Sequence, residues 1–296
     1  MRSLRLLIAQ LAPRPHDVDA NVATVVRLLE EYPDADLACF PELFLHGYTL
    51  PGIDRIALGP DDEPVRRIRQ AAAASSTAVI TGFAERLPGA ERLAGAERLP
   101  GEGAPGAARP ANSALLVDAD GSLAGIYRKV NLFGGEVDYF TPGGHYVVAG
   151  LLGLRVAPLI CYDIEFPEPA RTVALAGAEL LVTLSANMAP YLFEHELFAR
   201  VRAVENRRLH VYVNRAGTES GLVFLAGSCV VTAAGEVPAA LGDGEEVALV
   251  DVVIGPAPQP DYLADRRPGV PAVVVPSCST TPSIGPHQRP LTGGAT

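Results

Sequence analysis

Three segments of this chain each set one reactive side chain where an apolar run ends. Phe40-Pro41-Glu42-Leu43 places a carboxylate behind a buried strand and among apolar neighbours. Such surroundings favour the neutral acid, which moves a glutamate toward proton-transfer work near neutral pH. Tyr127-Arg128-Lys129-Val130-Asn131-Leu132-Phe133 carries the only lysine of the chain; the other 23 basic residues are arginines. An ammonium is a compact point charge that can steady negative charge developing on an oxygen, a role the planar fork of arginine does not imitate. In Leu159-Ile160-Cys161-Tyr162-Asp163-Ile164-Glu165-Phe166-Pro167-Glu168 a thiol stands at a strand-to-helix turn, with free backbone N–H groups close by. That placement suits covalent acyl chemistry. Each residue also has an ordinary reading: a loop glutamate, a lysine spared by an arginine-rich composition, and a buried cysteine acting as a small hydrophobe.

Other chemistries fit less well. His195-Glu196 begins like a zinc-protease motif, but position 199 is Ala. No phosphate-binding GxxxxGK[ST] can be built around the one lysine, and no GxSxG serine elbow occurs. A Cys–His pair remains open, with His46, His145, His195 and His210 as candidates and no local signature for any of them. The four cysteines, Cys39, Cys161, Cys229 and Cys278, are widely scattered. That spacing reads as reduced thiols of a cytoplasmic protein and not as a disulfide frame or zinc site. A net charge of −10 argues against nucleic acid or anionic lipid as the main partner. No apolar run approaches a membrane span, and the short run Leu6 to Ala9 lacks a cleavage pattern, so no signal peptide is expected.

The elements that must hold these side chains alternate as in α/β layering. Strands are expected at Leu4 to Gln10, Asp36 to Phe40, Ala78 to Glu85, Ser113 to Asp118, Leu123 to Tyr127, Leu154 to Ile160, Leu180 to Leu184 and Leu209 to Asn214. Val223 to Thr232 and Val247 to Val253 read as two more, around a turn at Ala234-Gly235. Helices are expected at Asp19 to Glu31, Glu63 to Ala74, Glu168 to Ala176 and Phe193 to Arg208. Residues 84 to 101 repeat AERLPG, AERLAG, AERLPG inside a Gly/Pro/Ala-rich stretch that ends at Pro110. Copies this short cannot form a solenoid, so 84–110 reads as a surface loop inserted in a domain of residues 1–255. The Pro/Gly-rich 256–296 reads as an extended tail.

Taken in order, Glu42 in FPEL, Lys129 in YRKVNLF and Cys161 in ICYDIEFPE resemble the nitrilase superfamily of carbon–nitrogen hydrolases, over about Leu4 to Val253. Ala186-Asn187-Met188-Ala189-Pro190-Tyr191, Arg202-Ala203-Val204-Glu205-Asn206 and Asp265-Arg266-Arg267-Pro268 are similar to the amidase branch that acts on ω-amino or ω-guanidino carboxamides, such as 5-aminopentanamidase. The resemblance implies a four-layer αββα sandwich, two mixed sheets between helical layers. It implies a Glu42–Lys129–Cys161 triad with Glu136 as a second glutamate, although Asn131 stands where many relatives have His and the loop before Phe140 is a residue short. It implies thioester hydrolysis of a small amide without metal or organic cofactor, and at least a homodimer paired through the helices after the nucleophile. Tyr162 is expected to offer its backbone N–H to the substrate, and Asn187, Tyr191 and Glu194 to line the pocket. Glu136, Glu194 and Glu219 are expected to border it and receive a cationic substrate end. The triad alone leaves open a nitrilase, a carbamoyl-amine hydrolase, an acyl transferase or a catalytically silent binding protein.

Overall fold

Leu4, Leu6 and Ile8 fall on one face of an extended strand and Leu7 and Ala9 on the other, so this segment is stable only with both faces covered. The computed structural model, which describes residues 1–88, 109–255 and 258–267, shows how that is done. β1 (Arg2–Gln10) runs parallel to β2 (Leu37–Cys39), which runs parallel to β3 (Ala78–Glu85). β4 (Ala111–Val117) and β5 (Leu123–Arg128) continue this sheet antiparallel. The second sheet takes β6 (Ala149–Leu151), β7 (Leu154–Ile160), β8 (Leu180–Ser185), β9 (Leu209–Asn214), β12 (Cys229–Val231) and β13 (Ala239–Ala240). β10 (Ala216–Glu219) and β11 (Leu222–Leu225) form a separate hairpin, and β14 (Glu246–Ile254) closes the first sheet against β1.

Four layers result. Leu7, Ala38, Val79 and Leu115 carry Val22, Val25 and Leu29 of α1 (Val18–Glu31) and Val65 and Ile68 of α3 (Glu63–Ser75). Leu6, Ile8, Ile80 and Leu116 point the other way and meet Ile160, Val182, Leu184 and Val211 of the second sheet. The far face of that sheet, through Leu159, Leu181 and Tyr212, carries Ala170 and Val173 of α5 (Pro167–Leu175) and Ala199 and Ala203 of α6 (Leu192–Asn206). The expected αββα sandwich of two mixed sheets is the fold observed.

One expected pairing fails. The turn at Ala234-Gly235 forms, with the Gly235 N–H donating to Thr232 O. It leads only to the two-residue β13, while β14 crosses to the first sheet and pairs antiparallel to β1 over nine residues. The run expected as one strand from Val223 to Thr232 is divided at Ala226 and Gly227, both at positive φ, into β11 and β12. Three-turn periodicity misses the short helical segments α2 (Ile53–Ile56) and α4 (Glu136–Tyr139). Within the stretch read as an extended tail, α7 (Tyr262–Asp265) is a helical turn whose Tyr262 ring lies 4.0 Å under the Arg207 guanidinium. The repeat from residue 89 onward and residues 268–296 lie outside the described residues.

Candidate active site

Glu42, Lys129 and Cys161 follow different strands, and the backbone at each turns the side chain toward the other two. Glu42 follows β2 in a turn that lies directly on β3. A Cβ at Gly82 would stand 2.3 Å from the Leu43 nitrogen and 2.5 Å from Pro41 O, so only glycine lets the turn lie there. Lys129 follows β5, its N–H donating to Asn112 O at 2.8 Å. Cys161 follows β7 at φ 43°, a left-handed conformation that a non-glycine residue adopts at a cost and that turns the thiol out of the strand line.

All three side chains are buried, as is Glu136. Lys129 Nζ donates to Glu42 Oε1 at 2.7 Å and to Glu136 Oε1 at 2.9 Å. Glu42 Oε1 also accepts from Asn112 Nδ2 at 2.7 Å, and its Oε2 accepts the Ala186 N–H at 2.9 Å. Glu136 Oε1 accepts from Tyr48 Oη at 2.6 Å, and its Oε2 from the Phe133 N–H at 2.9 Å. Glu136 thus belongs to the lysine cluster in spite of the Asn131 exchange and the shortened loop. Asn131 itself bonds elsewhere, its N–H and Nδ2 donating to Asp163 Oδ1 at 3.0 and 2.9 Å. Asp163 Oδ2 accepts from Tyr127 Oη at 2.7 Å and the Ile160 N–H at 3.0 Å. This carboxylate therefore ties the cysteine turn to the lysine segment.

The electrostatics follow from burial and from these neighbours. Burial raises the Glu42 carboxyl above its ordinary range; Lys129 opposes this and Glu136 adds to it. Burial works against the Lys129 ammonium, but Glu136, Glu42 and Cys161 outweigh it, and the ammonium is held more firmly than in water. Burial pushes the Cys161 thiol up, and Glu42 adds to that. Lys129 and hydrogen bonds from Ser185 and the Ala186 N–H pull it back. Burial is the main influence on Cys39 and Cys229 and pushes both up to about 12.

The other expected site residues divide. Tyr162 packs edge-on against Phe133 (5.2 Å between centroids) and Phe166 (5.0 Å), and Tyr191 packs on Phe133 at 6.0 Å. These rings form an aromatic rim next to the cysteine turn. Asn187 is buried, but its Nδ2 donates to Tyr191 O at 3.1 Å, so its amide holds the rim in place. Glu194 is exposed on the first turn of α6, and no hydrogen bond joins it to the cluster. Glu219 is bound to Arg215 Nη1 at 2.6 Å and to Thr49 Oγ1 at 2.7 Å. Of the candidate histidines, His46 binds Ile56 O and the Ala84 N–H, His210 binds Thr183 and Ala199 O, and burial lowers both to about 4. His145 is exposed.

Asn112 and Tyr48 are the participants that sequence reasoning missed. Asn112 leaves a signal: it shares an inward parity with Ala114 and Leu116 on β4, where a polar side chain needs a partner. Tyr48 leaves none, since its partner Glu136 lies 88 positions away.

Comparison with known proteins gives a concordant result. A profile of the carbon–nitrogen hydrolases matches residues 5–257. A Pseudomonas protegens protein named hydrolase in pqqF 5'region is 34% identical over 286 residues, 90% of each chain. An (R)-stereoselective amidase from a Pseudomonas species is 32% identical over 271 residues, 89% of this chain and 92% of its own. The amidase from Nesterenkonia sp. AN1 superposes with a TM-score of 0.74 at 29% identity, covering 89% of this chain and 94% of that one. That structure is a glutamate-to-glutamine mutant showing covalent addition of the acetamide moiety of fluoroacetamide at the active-site cysteine. A cysteine-to-alanine mutant of the same amidase, in complex with butyramide, superposes equally well at 0.74 and 30% identity, with coverage of 89% and 94%.

Proposed function

Because this chain belongs to the carbon–nitrogen hydrolase family, we propose that it hydrolyses a small linear carboxamide to the acid and ammonia, with Cys161 as nucleophile, Glu42 as proton-transfer base and Lys129 as oxyanion stabiliser. The observation that carries this reading is the buried ammonium 2.7 Å from Glu42 and 2.9 Å from Glu136, beside a thiol turned out at φ 43°. Glu42 takes the thiol proton, and the thiolate attacks the amide carbon. The third N–H of the ammonium and the backbone N–H of Tyr162 hold the tetrahedral oxyanion. Glu42 returns its proton to the departing ammonia, leaving a thioester. Water, deprotonated by Glu42, then adds to the thioester, and the acid leaves as the thiol re-forms. Glu136 and Asn112 position the lysine and the base. The test is ammonia release from a panel of linear amides run beside nitriles and carbamoyl amines. Turnover of amides is expected; turnover confined to nitriles or carbamoyl compounds would assign another reaction to the same triad.

The substrate's far end is an ω-amino or ω-guanidino group. The three carboxylates expected to receive it are otherwise engaged or remote: Glu136 holds Lys129 and Tyr48, Glu219 holds Arg215, and Glu194 is exposed. The support lies instead in the rim of Phe133, Tyr162, Phe166 and Tyr191, whose ring faces can receive a cation. Comparing kcat/KM for 5-aminopentanamide and for uncharged pentanamide tests this. A preference of about tenfold or more for the cation is expected, equivalent to roughly 1.4 kcal/mol of differential transition-state binding. Equal rates would make the rim a purely apolar wall and leave the triad chemistry standing.

The working unit is at least a dimer. α6 buries His195, Ala199, Arg202, Ala203 and Asn206, and turns Phe193 (70% exposed), Leu197 (45%) and Val201 (36%) outward. An apolar stripe on the outer face of the outer layer is what a second copy would cover. Light scattering at micromolar concentration should give at least twice the chain mass, and a monomeric mass would refute the pairing.

A further inference from the structure

A row of hydrogen bonds unused by the triad reaches Cys161 through the second sheet. Ser185, the last residue of β8, hydrogen-bonds to the thiol. Its Oγ accepts the Asn187 N–H at 3.2 Å and Tyr212 Oη at 3.0 Å. Tyr212 Oη meets His195 Nδ1 at 2.9 Å, and His195 Nε2 stands 3.2 Å from Glu165 Oε1. Ser185, Tyr212 and His195 are buried, whereas the Glu165 side chain is 28% exposed, so the row runs from the nucleophile toward solvent.

Hydrogen counting restricts the row. An ionised carboxylate only accepts, so Nε2 carries a hydrogen. With Tyr212 donating to Ser185, its oxygen is free to accept from Nδ1. Ser185, which accepts from Asn187 and Tyr212, then has its own hydrogen to give to the sulfur.

We infer that Ser185, Tyr212 and His195 form a donor row that steadies the Cys161 thiolate, with Glu165 closing its outer end. The inference rests on Cys161 being the nucleophile. His195 and Tyr212 are positioning residues acting through Ser185. They move no proton to substrate, and Glu42 remains the base. The polar groups bonded to His195 are Glu165 on the cysteine turn and Tyr212 on β9. α6 itself also carries Arg202, which is bonded to Glu165 O, and exposed Glu194 and Glu196.

The probe is iodoacetamide, with the rate of alkylation followed and the adduct located by peptide mass. Tyr212→Phe removes one oxygen and keeps the ring that packs under α6. At about pH 6.5 it should slow alkylation of Cys161 about tenfold, a hydrogen bond to a charged group being at stake. His195→Gln should reproduce this loss, and the double variant should be no slower than Tyr212→Phe alone. Glu165→Gln, at the partly exposed end, leaves the core untouched and should show a smaller loss in the same direction. KM for an amide should change little while kcat falls. A Tyr212→Phe rate equal to wild type, or a double variant slower than either single one, overturns the row and leaves Cys161 as nucleophile. An adduct at Cys39 or Cys229 in place of Cys161 overturns both.

Discussion

Lys129→Arg is expected to lower turnover roughly 100- to 1000-fold, nearly as far as Lys129→Ala, although it keeps the positive charge. The reason is space. The ammonium sits 2.7 Å from Glu42 and 2.9 Å from Glu136, its side chain has no solvent exposure, and both carboxylates are fixed by Asn112, Ala186, Tyr48 and Phe133. A guanidinium in that gap would press its fork against both acids and have no compact N–H left for an oxygen above the thiol. Lys129→Ala removes the clash but leaves two buried carboxylates without their cation, at a stability cost on the order of 3–5 kcal/mol. Turnover is therefore compared at a temperature where both variants are folded by circular dichroism. An arginine variant that keeps more than about a tenth of wild-type turnover would contradict the oxyanion role.

Cys161→Ala should reduce ammonia release to the uncatalysed background while leaving the fold and amide binding in place. Alanine tolerates φ 43° no worse than cysteine, and the missing sulfur leaves only a small gap beside Ser185 and Ala186. Lys129, Glu42 and the Tyr162 N–H would still hold an amide, but no bond to its carbon could form, so loss is expected in kcat and not in affinity. Persistent turnover at even a few per cent of wild type, with contamination excluded by a second preparation, would move the chemistry away from the thiol.

The proposed trio of Glu42, Lys129 and Cys161 was legible because each member stands in a short motif at the end of an apolar run, and local sequence records both facts. The layers were legible for the same reason: the unbroken apolar run of β1 and the helical spacing in α1 state which faces need cover. What sequence does not record is who provides the cover. The strand at Val247 to Val253 was recognisable, yet its partner is β1, at the other end of the chain, and not the neighbouring strand that a turn at Ala234-Gly235 suggested. Glu219 looked like a carboxylate free to meet a cation until the fold set Arg215 against it at 2.6 Å. The α6 stripe of Phe193, Leu197 and Val201 has the spacing of a core face. The helix nevertheless buries His195 and Arg202, because Tyr212 in the sheet below and the Ile164 carbonyl on the cysteine turn offer them hydrogen bonds. Polar groups satisfied over such separations carry no periodicity, and only the assembled sandwich reveals them.

The central claim is that an acyl group passes through a covalent bond to one named sulfur. Its direct measurement is peptide mass analysis of enzyme quenched in acid during turnover of a slow amide. The account predicts the acyl mass on the peptide that holds Cys161, sensitive to hydroxylamine as a thioester is, and its absence in Cys161→Ala. Amide turnover with no acyl mass on that peptide, or with the mass on the Cys39 or Cys229 peptide, would contradict it.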